Sequence, residues 1–523
     1  MSESTLAAPS TPETASPGSP PPPDPWTIRA FVREHPWWTT GVALVALSAA
    51  LLLWAGTRPG YDPWGWIVWG YQTLHLSLDL GGAPSWKPLP YLFTVPFALA
   101  GHYELWLWMV TSVAISLAGS IFAGRIAYRM TVDGGERRSA TAPGSEHPPT
   151  TAAEGRRRYA AIAAAVFAGL ALLGLEDYLH DILSVQSDPM IVTFTLAAID
   201  SHLSGRPRWA FAFGVLASLG RPEAWPFTGL YAIWAWRTVP RMRWFIYAGL
   251  ALIPLMWYGI PLITNHNAFV AQQLALKSPR ELHQNKVIGT IDRFTELQYL
   301  PLWIAALFTV AVGAWRRNWL VLILAGGSVV WVMVEIAFAL HGFPALSRYV
   351  MPPAGVAVVL AGVAVGWVLS ELPRIQPVVP RWVGVPLVAV LVVSLVPGAL
   401  ARMRAERKDL THERARTVEI NRLKATITRL GGYQHIRNCG EPVSQVEFVS
   451  SLAWFVKLDV GFVGHRPAFE KHQKYPIVLF TPLPNGWGVL PWHTSASKRA
   501  RCGGLHADYV FTGHHPSGVL VRR

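Results

Sequence analysis

Charge is scarce in this chain. Only 15% of its 523 residues are Asp, Glu, Lys or Arg, where a soluble domain carries roughly a quarter. A water-facing surface needs charge to cover it, so a single large soluble enzyme is excluded. A disordered scaffold is excluded as well, because such chains are more charged and less apolar. Cysteine is scarcer still: the chain has two, Cys439 and Cys502, which excludes a disulfide-rich scaffold and a cysteine-based zinc cluster. A secretory signal is lacking too, since apolar sequence starts only after Trp26. What is present is apolar: 51% hydrophobic residues with 25 Trp, and a mean hydropathy of +0.29.

A bilayer is crossed by about 20 apolar residues. Runs of this kind fall at 37–56, 103–124, 159–175, 189–203, 208–221, 223–238, 244–263, 300–315, 319–340, 348–370 and 383–400. They predict an α-helical polytopic membrane protein with about eleven transmembrane helices. The stretch 88–101 is apolar but short and holds three prolines, which predicts an interfacial or re-entrant helix. With the N-terminus in the cytoplasm, the short loops on that side carry 18 Lys and Arg, among them Arg125, Arg129 and Arg156 to Arg158. The opposite short loops carry eight. The positive-inside rule then predicts a multi-pass plasma-membrane protein with a cytoplasmic N-terminus.

Composition divides the chain further. Residues 1–25 are rich in Ser, Thr and Pro, and 131–157 are polar and Arg-rich; both are expected to be disordered and cytoplasmic. The transmembrane domain is expected over 26–400. From 402 to 430 the sequence reads as a charged helix. Residues 431–523 alternate short apolar runs with turn residues, so 401–523 predicts a small extracytoplasmic α/β domain. Cys439 and Cys502 both fall there. In an oxidising compartment they would pair, the alternative being two buried thiols. The net charge of +14 is explained by topology: 19 of the 45 basic residues lie after residue 400, and most of the rest sit in cytoplasmic loops. It is not a nucleic-acid footprint.

Polar residues at a membrane edge are costly and therefore functional candidates, and here they gather on the expected outer side. Asp62 follows Tyr61 and precedes Pro63, Trp64 and Trp66. A carboxylate in this place suits a general base that deprotonates a hydroxyl, and the rings could stack on sugar faces. The alternative is an N-cap aspartate opening an interfacial helix with an aromatic belt. The loop 176–188 holds Glu176, Asp177, His180, Asp181, Gln186 and Asp188 with no basic residue. It could orient an acceptor or bind a divalent cation, but a strict ligand spacing is absent and no metal is expected. Lys87, Arg221 and Arg348 are anion-binding candidates, since guanidinium clamps phosphate in bidentate fashion. Snorkelling, or an ion pair such as Arg221 with Glu223, is the other reading.

The order of these features resembles the GT-C superfamily of integral membrane glycosyltransferases. The resemblance rests on an acidic residue in the first outer loop, Asp62, and on Lys87-Pro88-Leu89-Pro90 running through a short apolar helix to Gly101. Ser187-Asp188-Pro189, Gly205-Arg206 with Gly214, Arg221-Pro222-Glu223-Ala224 and Arg348-Tyr349-Val350-Met351-Pro352 continue it. It covers about residues 37–370 and is one of pattern rather than identity. It implies a polyprenyl-phosphate-linked sugar donor and transfer to a hydroxyl of a lipid, glycan or protein acceptor on the outer face. By the same resemblance Asp62 would be the base and Arg348 would bind donor phosphate, with Arg221 and Lys87 as further donor residues. Tyr61, Trp64, Trp66, Asp177, His180, Asp181 and Glu223 are the candidates for sugar and acceptor contacts. Some branches carry paired first-loop acids and use a metal, whereas Asp62 stands alone, so no cofactor is expected. Two other classes fit the composition: a lipid or solute transporter, which would show related halves with broken helices, and a non-catalytic assembly protein acting through its C-terminal domain.

Overall fold

A computed structural model describes residues 34–83, 85–139, 151–277, 280–370, 383–464, 477–492, 509–512 and 519–522. The segment 1–25 and Cys502 lie outside them. Apolar runs become helices wherever proline can open one and glycine or a polar turn can end it. Thus α1 (Pro36–Ala55) begins on proline and stops at Gly56, whose φ of 65° is open to glycine at little cost. There follow α2 (Tyr61–Leu74), α3 (Pro88–Ala98), α4 (Glu104–Ser139), α5 (Thr151–Leu173), the short α6 (Tyr178–Leu183), α7 (Asp188–Leu203), α8 (Pro207–Gly220) and α9 (Trp225–Thr238). Then come α10 (Arg243–Pro254), α11 (Lys286–Glu296), α12 (Leu300–Trp315), α13 (Trp319–Leu340), α14 (Met351–Ser370) and α15 (Gly384–Arg429).

Every run expected to cross is helical. By length and apolarity six helices among the described residues qualify as spans, or seven if α11 and α12, bent by 97°, are taken as one. The count of eleven is therefore not reached on these criteria. Helices α7, α8 and α9 have 16, 14 and 14 residues. At 1.5 Å per residue they measure about 21–24 Å, short of a hydrocarbon core of roughly 30 Å. Helix α3, with 11 residues, is shorter again. The polar segment 131–157 also differs from expectation: α4 runs on to Ser139 and α5 begins at Thr151.

Helix α14 is the centre of the bundle, with 89% of its apolar window buried. It packs on α4, α5, α12 and α13. Its glycines allow this. A Cβ on Gly362 would meet the Ala168 Cβ at 2.7 Å, and one on Gly355 would meet Val192 at 3.0 Å, the close approach that small residues permit between membrane helices.

The last span does not stop at the membrane. Helix α15 runs unbroken for 46 residues, with an exposed apolar first part and a charged second part. That second part leans on the loops of one face. Arg414 Nε donates to the Ala55 carbonyl at 2.7 Å, and Arg416 donates to the Pro59 and Arg58 carbonyls at 3.0 Å each. The C-terminal domain follows. It contains α16 (Gly432–Cys439), α17 (Val449–Val456) and a sheet in the order β1-β2-β3. Strand β1 (Glu441–Val443) is parallel to β2 (Ile477–Leu483), and β2 is antiparallel to β3 (Gly486–Trp492), Phe480 pairing Val489. Strands β4 (Tyr509–Thr512) and β5 (Val519–Arg522) form a separate antiparallel pair. The domain sits directly on α2 through α17, and a Cβ on Gly82 would come within 1.9 Å of the Gly461 nitrogen.

Candidate functional site

A cavity of about 1280 Å³ opens between the membrane bundle and the C-terminal domain. It exceeds the 300–1,000 Å³ of ordinary small-molecule pockets. Its chemistry centres on Asp188, the first residue of α7, which is 1% exposed. Lys87 Nζ approaches Asp188 Oδ2 at 3.2 Å and the Ser187 hydroxyl at 3.0 Å. Arg221 Nε donates to Asp188 Oδ1 at 2.9 Å, its Nη2 contacts the same oxygen, and Arg348 Nε stands 3.7 Å from Oδ2. Arg348 Nη2 also donates to Asp62 Oδ2 at 2.9 Å. The buried Lys87 and Arg221 and the partly buried Arg348 thus converge on two carboxylates.

Local structure sets this up. Asp62 is the second residue of α2, and its entry is fixed by the Gly60 amide, which donates to the Ser184 carbonyl at 2.9 Å. A side chain at Gly60 would collide with Gln186 at 2.7 Å. Lys87 precedes the proline that opens α3, Arg221 closes α8, and Arg348 lies in the 3-10 turn Ser347–Val350 leading into α14. The Arg221 guanidinium rests 3.5 Å from the Tyr349 ring centroid, a cation–π contact.

Burial tunes the loop groups. It pushes the Lys87 ammonium down to about 8, with Asp188 resisting. It pushes the Asp181 carboxyl up to about 7 although Arg348 acts the other way. His180 is opposed by burial and held above its ordinary value by Asp409, whose Oδ2 lies 2.7 Å from His180 Nδ1.

The structure brings together Tyr61, Asp62, Lys87, His180, Asp181, Arg221, Glu223 and Arg348 as lining of one cavity. It does not bring Trp64, Trp66 or Asp177. Trp64 is 1% exposed, wedged against Trp454 and Phe455 of α17 with ring centroids 6.5 and 5.7 Å away. Trp66 is fully buried, its indole N–H donating to the Ser85 carbonyl at 2.8 Å. Both are core residues, so neither ring face is open to a sugar. Asp177 is exposed beside α6 and does not line the cavity. Cys439 is buried in α16, and its expected pairing with Cys502 lies outside the described residues.

Three groups at the site were not singled out as site residues from the sequence, two of them, Gln186 and Glu335, lining the cavity and Asp188 lying behind its wall. Gln186 was read as part of an acidic loop. Asp188 was read as the start of a span. Glu335 is the lone charged residue of α13 and is detectable as such, since an acid inside an apolar span is rarely idle. Buried polar atoms without a hydrogen-bond partner collect on the same cavity, Arg348 Nε, Asp181 Oδ2 and Gln186 Oε1 among them, while the Glu335 carboxyl meets only Glu223. Such atoms are rare in native proteins, and water or a polar ligand in the cavity would satisfy them. Among the described residues, His180, Asp409 and Glu413 have ligand atoms within 4.8 Å of one another and could hold a divalent ion. Glu413 also pairs with Arg416 at 2.5 Å.

The molecule is a helical, polytopic membrane protein with a charge-lined cavity beneath a small α/β domain. No family model matches the chain, and no curated relative does. Among solved structures it is similar to ArnT from Cupriavidus metallidurans bound to undecaprenyl phosphate, with 14% identity over 89% of this chain and 99% of that one, at a TM-score of 0.47. The apo form of the same protein aligns with 14% identity over 87% and 94%, at a TM-score of 0.45.

Proposed function

We propose that this chain is a membrane glycosyltransferase that moves a sugar from a polyprenyl-phosphate donor to a hydroxyl of a cell-envelope lipid, glycan or protein. The observation that carries the reading is the convergence of Asp62, Lys87, Arg221 and Arg348 on one cavity. Displacement at the anomeric carbon needs a base for the incoming hydroxyl and stabilisation of the leaving phosphate. Lys87, Arg221 and Arg348 are placed to take the phosphate, and the site is buried enough for each cation to count more than in water. The acceptor oxygen forms the new bond to the anomeric carbon while the carbon–oxygen bond to phosphate breaks, and the hydroxyl proton passes to Asp62. In this structure Asp62 is held by Arg348. A donor phosphate competing for Arg348 would loosen that pair and free the Asp62 carboxylate for the incoming hydroxyl. A phosphate leaves readily, so the mechanism asks for no general acid and no metal.

On this reading the cavity faces the outside of the plasma membrane, the N-terminus is cytoplasmic, and the C-terminal domain is extracytoplasmic. The decisive experiment replaces Asp62 with Asn, checks insertion, and assays sugar transfer from a polyprenyl-phosphate donor. A positioned base contributes about 10²–10⁴-fold. A loss of that order with donor binding retained is expected, and undiminished transfer would remove Asp62 as base. Uptake into proteoliposomes with no covalent product would instead favour a transporter.

A further inference from the structure

Glu335 is unlike the other acids of the site. It is 1% exposed and sits within the apolar helix α13, on the same buried stripe as Trp331, Val332 and Ala339. The helix ends five residues later at Leu340, so Glu335 lies about 7–8 Å below the end of the span. It nevertheless lines the cavity, beside Phe338. It faces Glu223, which is 3% exposed and is the charged group acting most strongly on it. The two side chains share a hydrogen bond, and beyond that contact neither Glu335 oxygen nor Glu223 Oε2 has a partner. Apart from Arg221 at Glu223 Oε1, these two buried carboxyl groups have only each other on this wall. One shared proton cannot satisfy every buried oxygen of the pair, and an acceptor left unmatched bears the desolvation of its group, so a ligand that supplies donors would fit this wall.

The wall excludes two parts of a lipid-linked sugar. Phosphate would be repelled by a pair of acids, and a polyprenyl chain would leave their oxygens unpaired. Hydroxyl groups match, because a carboxyl group offers several acceptor positions and binds neighbouring hydroxyls together. Position decides which hydroxyls. Arg221 reaches Asp188 with Nε and Glu223 with Nη1, at 2.9 and 3.4 Å. The acid pair therefore begins where the cation cluster ends, one side chain away, which is where a sugar bonded to the bound phosphate must lie. The other oxygen of Asp188 faces Arg348 and, through it, Asp62. That leaves the acceptor to enter on the Asp62 side.

We infer that Glu223 and Glu335 form the subsite that reads the hydroxyl groups of the donor sugar, Glu335 from within the span. The inference rests on the glycosyltransferase reading above. A site built to hydrogen-bond a hydroxyl rejects an analogue lacking it far more strongly than an apolar pocket rejects a missing methylene. These two acids therefore set which sugar is accepted, while the cations set that a phosphate is.

The test uses the full chain in lipid nanodiscs and measures binding of undecaprenyl phosphate, alone and carrying a hexose, a pentose or the matching deoxy sugar. The variants are Glu335→Gln, which keeps the shape, and Glu335→Leu, which makes the span fully apolar and leaves insertion unthreatened. In the wild type at least one sugar-linked lipid is expected to bind more tightly than the bare phosphate. Both variants are expected to cut that advantage about tenfold or more, while binding of bare undecaprenyl phosphate stays unchanged. If the variants keep the advantage, or if no sugar improves wild-type binding, the subsite is overturned and the phosphate site stands. If wild-type protein fails to bind undecaprenyl phosphate at all, the proposed function falls first.

Discussion

The interaction that should matter most to the folded state is the one around Asp188, and a double-mutant cycle can measure it. Asp188 Oδ2 lies 3.2 Å from Lys87 Nζ, with both side chains almost fully enclosed. At an effective dielectric of about 20, opposite charges at that separation attract by about 5 kcal/mol, against which the desolvation of both ions must be set. Replacing Asp188 with Asn leaves Lys87, Arg221 and Arg348 facing one another around a neutral amide. Breaking a buried pair in this way costs about 3–5 kcal/mol. Replacing Lys87 with Met should cost less, because Asp188 keeps Arg221. The double variant should then be more stable than the two single losses added together, since one surplus cation has gone with its partner. Couplings between contacting groups run about 0.5–3 kcal/mol, and a value above about 1 kcal/mol is expected at this distance. Unfolding of purified protein in mixed micelles, read by tryptophan fluorescence, would give the four corners of the cycle. Additivity to within about 0.5 kcal/mol would refute the claim that Asp188 holds the cation cluster together.

Lys87 should make donor binding sensitive to alkali. Burial brings its ammonium down to about 8, so on the proposed function affinity for a polyprenyl phosphate should weaken as pH rises through 8, and Lys87→Arg should remove that inflection. Asp181 predicts the stability profile: burial lifts its carboxyl from 3.8 to about 7. Its stabilising effect is complete below pH 4 and is lost as pH climbs towards 7, so Asp181→Asn should flatten stability across that window in a pH series of melting curves. Gly82→Val should drive a side chain into the Gly461 backbone and lift the C-terminal domain from the bundle, seen as faster proteolysis after residue 430 in intact membranes. Transfer should survive treatment with EDTA, and activity lost to the chelator and restored by a divalent ion would direct attention to His180, Asp409 and Glu413.

Much of the fold was legible because hydropathy reports burial in lipid as directly as in a core. Helices α7 and α8 begin at Asp188 and Pro207, within a residue of the apolar runs that announced them. The join inside α15 was not legible. The runs before and after residue 400 differ in polarity, but nothing between them ends a helix, and Pro397 is accommodated inside it. At the site, the charged residues were found by their shared side of the membrane, a property that counting loops can give. Trp64 and Trp66 show the limit of that method. An aromatic residue near an interface can face lipid, ligand or protein, and here α17, nearly four hundred residues away in sequence, covers Trp64. Glu335 was visible as a lone acid, but its meaning depends on Glu223 standing opposite, a contact between helices distant in sequence.

The cavity draws Asp62 from the first helical hairpin, Arg221 and Arg348 from the middle, and Glu413, Arg416 and Glu447 from the long last helix and the domain beyond it. A ribosome threading this chain into a membrane therefore releases the cation cluster long before its cover exists. At about 5–20 residues per second, the stretch from Arg348 to Glu447 takes roughly 5–20 seconds to synthesise. Through that interval Asp188 already has its three partners, so the nascent bundle is electrically settled, but one wall of its chamber is still missing. The chain is in this sense self-timed: its chamber is enclosed only after the last helix and the domain beyond it have been made.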